Sequence, residues 1–159
     1  MVRGDATRRR GSQELPAASH ALLRRRVICL DTDVLSVFLR TGAPPAAQRR
    51  LAELTAESHF TTAITLAELL YGAVKRRSPS LLRTIEQYVA GEVSIVEFDE
   101  SAARAYAEIR VELEAVGQRL EDADLQIAAI CLTRDFTLIT GNVRHFERVP
   151  GLRVENWLT

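Results

Sequence analysis

A continuous apolar run, Val27–Leu30, ends directly in an aspartate, Asp31, where the sequence changes from a strand-like to a helix-like pattern. An unbroken apolar run that starts with β-branched residues is typical of a strand buried on both faces, as in a parallel sheet. Similar changes precede Glu68 and, less clearly, Asp124. Ligands of open α/β sheets bind at the carboxyl ends of the strands, so acids far apart in sequence can meet in one crevice there. Clustered carboxylates of this kind predict a hard divalent cation between them.

The remainder of the chain alternates between strand-like and helix-like segments. The predicted strands are Val27–Leu30, His59–Ile64, Val93–Phe98, Phe136–Thr140 and Leu152–Glu155. The predicted helices are Val34–Leu39, Ala46–Glu57, Leu66–Lys75, Leu81–Val89, Asp99–Val116 and Asp122–Thr133. Four or five strands in alternation with helices predict an α/β fold with a mostly parallel central sheet, flanked by helices on both faces.

Length and composition are ordinary for a soluble globular domain. The chain has 159 residues, of which 47% are hydrophobic and 26% charged, and this length favours one domain with a substantial core. No apolar stretch approaches the roughly 20 residues that cross a bilayer, so no membrane association is expected. The two cysteines, Cys29 and Cys131, lie in apolar surroundings and are interpreted as buried thiols, which favours a cytoplasmic location.

Charge is distributed unevenly. Residues 1–26 hold seven arginines against Asp5 and Glu14, a formal charge of +5, and because the whole chain is neutral, residues 27–159 carry −5. We expect residues 1–26 to be a basic, disordered extension and residues 27–159 to form the domain. An acidic body argues against a broad basic nucleic-acid surface, although local arginines can still contact RNA.

Two of the three acids have a simpler structural interpretation. Asp31 suits a helix N-cap, but Asp31 and Asp33 together, straight after a core strand, exceed what capping requires. Thr65 and Glu68 are spaced as a capping box, in which the glutamate would only bind the start of its own helix.

The third acid lies in Glu121-Asp122-Ala123-Asp124. Acids in a first helical turn interact favourably with the helix dipole. We expect Asp122 to be the N-cap, which leaves Asp124 inside the first turn and able to face the crevice.

The segment after the fourth predicted strand supplies further candidates. Thr140 and Asn142 offer neutral oxygens for a metal-bound water or a phosphate, and Arg144 can contact a phosphate. An ordinary Gly-Asn turn at residues 141–142 explains the same sequence equally well.

Four ordered motifs resemble PIN-domain ribonucleases, most closely the VapC-type toxins of bacterial toxin–antitoxin pairs. They are Leu30-Asp31-Thr32-Asp33-Val34-Leu35-Ser36, Ile64-Thr65-Leu66-Ala67-Glu68-Leu69, Asp124-Leu125-Gln126-Ile127-Ala128-Ala129 and Thr140-Gly141-Asn142-Val143-Arg144-His145-Phe146. The resemblance covers residues 27–159. It implies a magnesium-dependent endoribonuclease, with Mn²⁺ as a possible substitute, that is usually a homodimer and is silenced by a cognate VapB-like antitoxin.

Carried over residue by residue, the resemblance implies that Asp31, Glu68 and Asp124 are the catalytic and metal-binding acids, with Thr32 as a neighbouring candidate. Two departures stand out. Asp33 replaces the asparagine that is usual in these proteins, and Asn142 stands where some members have a fourth acid, so the number of metal ions is open.

Two other functions fit parts of the sequence. In a haloacid-dehalogenase-like phosphohydrolase, Asp31 would be the nucleophile and Asp33 the acid/base, although Val34-Leu35 stands where Gly-Thr is expected. A catalytically inactive PIN fold kept for protein binding is the other alternative. A metal-free ribonuclease would use paired histidines, and neither His59 nor His145 has an evident partner in the sequence. The RNA target, the identity of the antitoxin and the oligomeric state are not readable from the sequence.

Overall fold

Five short parallel strands form the centre of the molecule. The computed structural model describes residues 27–55, 58–91 and 93–159. The strands are β1 (Ile28–Leu30), β2 (His59–Thr62), β3 (Ser94–Val96), β4 (Thr137–Ile139) and β5 (Arg153–Glu155), in the order β3-β2-β1-β4-β5. Every neighbouring pair is parallel, which confirms the predicted sheet. The predicted extension, residues 1–26, lies outside the described residues and stays a prediction.

Seven helices connect or follow these strands within the described residues. They are α1 (Thr32–Thr41), α2 (Pro45–Ala52), α3 (Ala63–Lys75), α4 (Pro79–Gly91), α5 (Glu100–Ala115), α6 (Asp122–Thr133) and α7 (Val143–Phe146). Helix α6 has the predicted bounds, whereas α7 was not predicted. The predicted strand His59–Ile64 is too long, because α3 already begins at Ala63, and the predicted helix Ala46–Glu57 is too long, because α2 ends at Ala52.

Two hydrophobic cores, one on each face of the sheet, follow from the alternation of side chains along β1. Ile28 and Leu30 pack into a core formed with helices α1 to α4. Cys29 points to the other face and packs with α5, α6 and α7. Residues 127–131 of α6 are completely buried in that second core. Helices therefore cover both faces, as predicted, and both cysteines are buried free thiols.

The topology places a crevice beside β1. The chain moves outward from β1 through β2 to β3, and then returns to pair β4 with the opposite edge of β1. At such a switch point the loops leave the sheet in opposite directions, which opens a cleft at the carboxyl ends of the strands. The Asp31 amide closes this end of the sheet by donating to the Ile139 carbonyl at 3.0 Å. Across the described part of the chain, no helix combines the length and apolar character needed to span a bilayer.

Candidate active site

Asp31 occupies the carboxyl end of β1 and is the N-cap of α1. Its Oδ1 accepts from the Thr32 amide at 2.7 Å, and its Oδ2 accepts from the Thr140 hydroxyl at 2.7 Å. The residue is only 5% exposed. Burial raises the pKa of this carboxyl from 3.8 to about 7; the two hydrogen bonds oppose the shift, and the charges of Asp33 and Asp124 add to it. Asp31 thus caps the helix and also faces the crevice with neighbouring acids.

Asp33 joins the start of α1 to the end of β4. Its Oδ2 accepts from the Gly141 amide at 2.8 Å, while its Oδ1 accepts from the Val34 amide at 2.6 Å. A Cβ at position 141 would lie 2.7 Å from Asp33 Oδ2, so any larger residue there would have to displace the Asp33 carboxylate. Asp33 therefore holds the two strand ends together in addition to contributing charge.

Glu68 lies in the second turn of α3 and is exposed. Its Oε2 accepts a short, 2.5 Å hydrogen bond from the Thr32 hydroxyl. The predicted capping box is wrong, because α3 begins earlier: its N-cap is Thr62, whose hydroxyl oxygen accepts from the Thr65 amide at 3.0 Å. Glu68 is thus not needed to cap its helix, and Thr32 connects it to the residue beside Asp31.

Asp124 lies in the first turn of α6, and its charge reaches Asp31. The N-cap of α6 is Glu121, so the predicted capping role of Asp122 is wrong. Asp122 instead accepts from the Tyr106 hydroxyl at 2.9 Å, on the outside of the molecule. The role of Asp124 in the crevice stays a prediction, and the charge that it adds near Asp31 supports it.

His145 is a contact of Asp124 that the sequence interpretation missed. Its Nδ1 lies 3.3 Å from Asp124 Oδ2. His145 belongs to the run that follows β4, so the strand-end argument already applied to Thr140 also pointed to it. The histidine seemed unpartnered because its partner is 21 positions away in sequence.

The secondary candidates differ in position. Thr140 is completely buried and its hydroxyl donates to Asp31 while accepting from the Asn142 amide at 3.0 Å. Asn142 is exposed and is the N-cap of α7, without a capping bond from its side chain. Arg144 is exposed and forms no ion pair with any described residue. Thr140 therefore positions Asp31, whereas Asn142 and Arg144 are open to an external ligand.

The donor set suits a loosely held hard cation. Asp31, Asp33 and Asp124 are the carboxylates of this site. Burial is the main cause of the raised pKa of Asp31, and the charges of the other two acids add to it. No three His, Cys, Asp or Glu side chains within the described ranges converge closely enough to enclose an ion. Mg²⁺ is commonly bound by only one or two carboxylates, with waters and substrate phosphate completing its octahedron. The site fits that kind of binding rather than an all-protein cage.

Known proteins match this sequence and this fold. Residues 28–152 match the PIN domain family model. The tRNA(fMet)-specific endonuclease VapC of Shigella flexneri is 34% identical over 80% of this chain and 96% of its own, and ribonuclease VapC2 of Rickettsia felis is 31% identical over 82% and 98%. The DNA-bound VapBC structure from Salmonella typhimurium has a TM-score of 0.76 at 30% identity, covering 83% of this chain and 98% of that one.

An open parallel sheet with an acidic crevice at its carboxyl edge, matched by a PIN model over most of the domain, defines the class of protein. The chain belongs to the PIN-domain family and, within it, to the VapC group of toxin–antitoxin proteins. The resemblance drawn from the four sequence motifs is therefore confirmed, and the dehalogenase-like alternative finds no support.

Proposed function

We propose that this protein is the toxin of a toxin–antitoxin pair and acts as a magnesium-dependent endoribonuclease, for which Mn²⁺ can substitute. The observation that carries the proposal is the buried Asp31 carboxylate, whose pKa is raised to about 7 beside two further acids at the switch point of the sheet. The ribonuclease and endonuclease names of the VapC relatives give the proposal its reaction class.

In this proposal the acids divide the work. Asp31 and Asp124 would hold the cation, with Glu68 completing the site directly or through a water. When bound, Mg²⁺ orients and acidifies an attacking water and neutralises charge on the scissile phosphate. Thr140 keeps the Asp31 carboxylate in place through its 2.7 Å hydrogen bond, and Thr32 does the same for Glu68. Arg144 is exposed beside this segment and can contact a phosphate.

Protons compete with the cation at Asp31. Because a carboxyl with a pKa near 7 is protonated below that value, the cation must displace a proton to bind there. We therefore expect cation affinity and cleavage to rise with pH up to about 7 and then to level off.

A protein partner is the second part of the proposal. Solved relatives were crystallised as VapBC complexes, including VapBC2 of Rickettsia felis bound to a promoter DNA fragment, with a TM-score of 0.74 and 28% identity over 82% of this chain and 98% of that one. By analogy, we propose a VapB-like antitoxin and a homodimer for this chain.

The decisive experiment is to map RNA ends after brief induction of the protein, and to repeat the cleavage with purified protein and Mg²⁺. Asp31→Asn should lower cleavage by about a thousandfold or more, because it removes a carboxylate ligand worth several kcal/mol while keeping a residue that caps helices well. Glu112→Gln, which removes one exposed carboxylate from α5, is the matched control and should cleave normally.

Normal cleavage by Asp31→Asn would reject the assignment. A wild-type protein that binds neither Mg²⁺ nor Mn²⁺ in calorimetry and cleaves no RNA would instead indicate an inactive PIN fold used for binding.

A further inference from the structure

Helices α1 and α3 each have a row of side chains, here called a stripe, that leads away from the acidic crevice. Each helix begins at the carboxyl edge of the sheet, after β1 and β2 respectively, and the two helices pack together. Residues four apart lie on one face of a helix. The stripes are Thr32, Ser36 and Arg40 on α1, and Glu68 and Gly72 on α3 with Arg76 at its C-cap. The hydrogen bond from Thr32 to Glu68 fixes their register at the end nearest the crevice.

A groove runs between these stripes. A cavity of about 210 Å³ is lined on one side by Ser36 and Arg40 and on the other by Glu68, Gly72 and Arg76, and its remaining lining is apolar: Leu39, Leu69, Leu81 and Ile85. It adjoins a second cavity of about 340 Å³, which shares both arginines and adds the start of α4. We call the two together the α1–α3 groove. It begins at the acid Glu68 and continues to two cations, about 12 Å further along the helices, at 1.5 Å per residue.

The far end of the groove is suited to anions. Its lining includes three hydroxyl side chains around the first turns of α4: Ser78, Ser80 and Thr84. Helix α4 has 13 residues and starts at Pro79, so the positive end of its dipole faces the same cavity. Arginines, hydroxyls and a helix N-terminus are the groups that proteins use to contact phosphate oxygens.

Neither arginine has an acidic partner among the described residues. In the described part of the chain, Arg40 and Arg76 form no ion pair, whereas Arg104, Arg110 and Arg134 do. Arg40 is held in place because its Nε donates to the Ser36 carbonyl at 2.8 Å, which leaves its two terminal nitrogens for a ligand. Two arginines that lack an ion-pair partner in the described ranges thus line one groove, on a body whose formal charge is −5.

Gly72 keeps the middle of the groove open. A Cβ built at this position meets no atom within 4 Å, and the backbone does not have a positive φ. Neither close packing nor backbone conformation therefore requires glycine in this helix, although glycine costs about 0.5–1 kcal/mol there relative to alanine. The space that it leaves lies on the path between the acids and the arginines.

We propose that the α1–α3 groove binds the phosphodiester backbone of the single-stranded RNA substrate on one side of the scissile bond, with Arg40 and Arg76 contacting its phosphates. The inference rests on the proposed ribonuclease function. An RNA strand whose scissile phosphate lies at the acids must leave the crevice. The groove begins at Glu68, whose carboxylate accepts from the Thr32 hydroxyl next to Asp31, and it ends at the two arginines. Phosphate contacts position a strand without reading its bases, so the groove sets the path of the RNA rather than its sequence.

Binding can be measured apart from cleavage. Fluorescence anisotropy of a labelled single-stranded oligoribonucleotide in the Asp31→Asn background reports affinity without turnover. Arg40→Gln and Arg76→Gln should each weaken binding about tenfold, since each removes a charge-assisted hydrogen bond. Each should also reduce the slope of log affinity against log salt by about 0.7, the value for one phosphate contact to a single strand.

Arg83→Gln is the matched control. It removes the same charge from α4, at an exposed position that does not line the groove. Its salt slope should be unchanged. If Arg83→Gln lost as much RNA affinity as Arg40→Gln and Arg76→Gln, the arginines would act only through the overall charge of the protein. That result would reject RNA binding in the groove.

Substitutions at Gly72 provide a test that does not endanger the fold. Both Gly72→Glu and Gly72→Gln replace glycine by a better helix former, so melting temperature should be maintained or raised. The two side chains have the same size, and only glutamate adds a negative charge beside the phosphates. Gly72→Glu should therefore weaken RNA binding about tenfold more than Gly72→Gln.

The outcomes separate this inference from the proposed function. If the wild type neither binds nor cleaves RNA, the ribonuclease proposal fails. If the wild type cleaves RNA while all the groove variants bind like Asp31→Asn alone, only the groove is rejected. Displacement of the RNA by poly-L-glutamate at a lower charge concentration than by unlabelled oligoribonucleotide would likewise reject it, in favour of an acidic peptide.

Discussion

Asp31 and Glu68, two of the acids proposed to bind the cation, are held in opposite ways. Asp31 stands at the end of the central strand, is 5% exposed, and accepts hydrogen bonds on both carboxylate oxygens. Glu68 stands on the outer surface of α3 and is fixed by the Thr32 hydroxyl alone among the described residues. The Asp31 carboxylate is thus part of the buried core, whereas the Glu68 carboxylate lies on the surface and is held by one hydrogen bond.

This difference has an energetic consequence. Burial makes the ionised form of Asp31 unfavourable in the metal-free protein. A bound cation would stabilise this ionised form. An exposed carboxylate such as Glu68 is solvated by water, so its ionised form needs no cation to stabilise it. The comparison predicts that substitutions at Asp31 and its buried partner Thr140 change both stability and activity. Substitution of the exposed Glu68 should change activity alone.

The largest effect on stability should be its dependence on pH. Between pH 4 and 7, the folded protein holds a proton on Asp31, whose pKa is about 7, while the unfolded chain has released it. The folded state therefore binds more protons, and the free energy of unfolding should fall as pH rises through this range, by at most about 4 kcal/mol. Urea unfolding in the presence of a chelator, at about pH 4 and about pH 7, measures the change.

Asp31→Asn isolates this contribution, because every other titrating group is retained. The fall between pH 4 and 7 should be smaller in the variant than in the wild type. Added Mg²⁺ should raise the melting temperature of the wild type at pH 7 more than that of the variant. Identical pH profiles for the two proteins would show that Asp31 titrates normally and that the core does not strain its charge.

Thr140→Val should have the next largest effect. Valine has the shape of threonine but removes the hydroxyl that donates to Asp31 and accepts from the Asn142 amide. Loss of a buried partner costs about 1–3 kcal/mol in the free energy of unfolding. Because this hydrogen bond lowers the pKa of Asp31, the pH–cleavage profile should also move to higher pH.

Thr140→Ser keeps the hydroxyl and is the control for that change; its pH–cleavage profile should stay in place. If Thr140→Val and Thr140→Ser share one profile, the hydroxyl does not act on Asp31, and only packing distinguishes the variants.

Sequence alone was sufficient for the parts of the site that adjoin regular strands. Asp31 and Thr140 directly follow β1 and β4, so the apolar runs before them located both residues at the carboxyl edge of the sheet. The parallel topology followed from the alternation of strands and helices, because parallel neighbours need long crossover connections. These features depend on local pattern, which a sequence displays directly.

The parts that could not be predicted depend on contacts between distant segments. Two threonines three residues apart, Thr62 and Thr65, both suit the N-cap of α3. Strand β2 pairs with β3 as far as Thr62, so the helix begins directly after it and Thr62 is the N-cap. Asp124 reaches the crevice from α6, which follows a loop rather than a strand, so its position depends on how α5 and α6 pack. Its contact with His145 likewise exists only in the folded chain.

Glu68→Gln should have the smallest effect on stability, because Glu68 is the exposed member of the pair compared with Asp31. The amide oxygen can still accept from Thr32, and α3 is capped elsewhere, so the free energy of unfolding should change by less than about 0.5 kcal/mol. Cleavage should fall about 10–100-fold, as when a group that supports a metal site is lost. Thr62→Ala is the contrasting variant, because it removes the true N-cap and should cost about 1 kcal/mol of stability. Full cleavage by Glu68→Gln would remove Glu68 from the site and leave the buried acids to hold the cation alone.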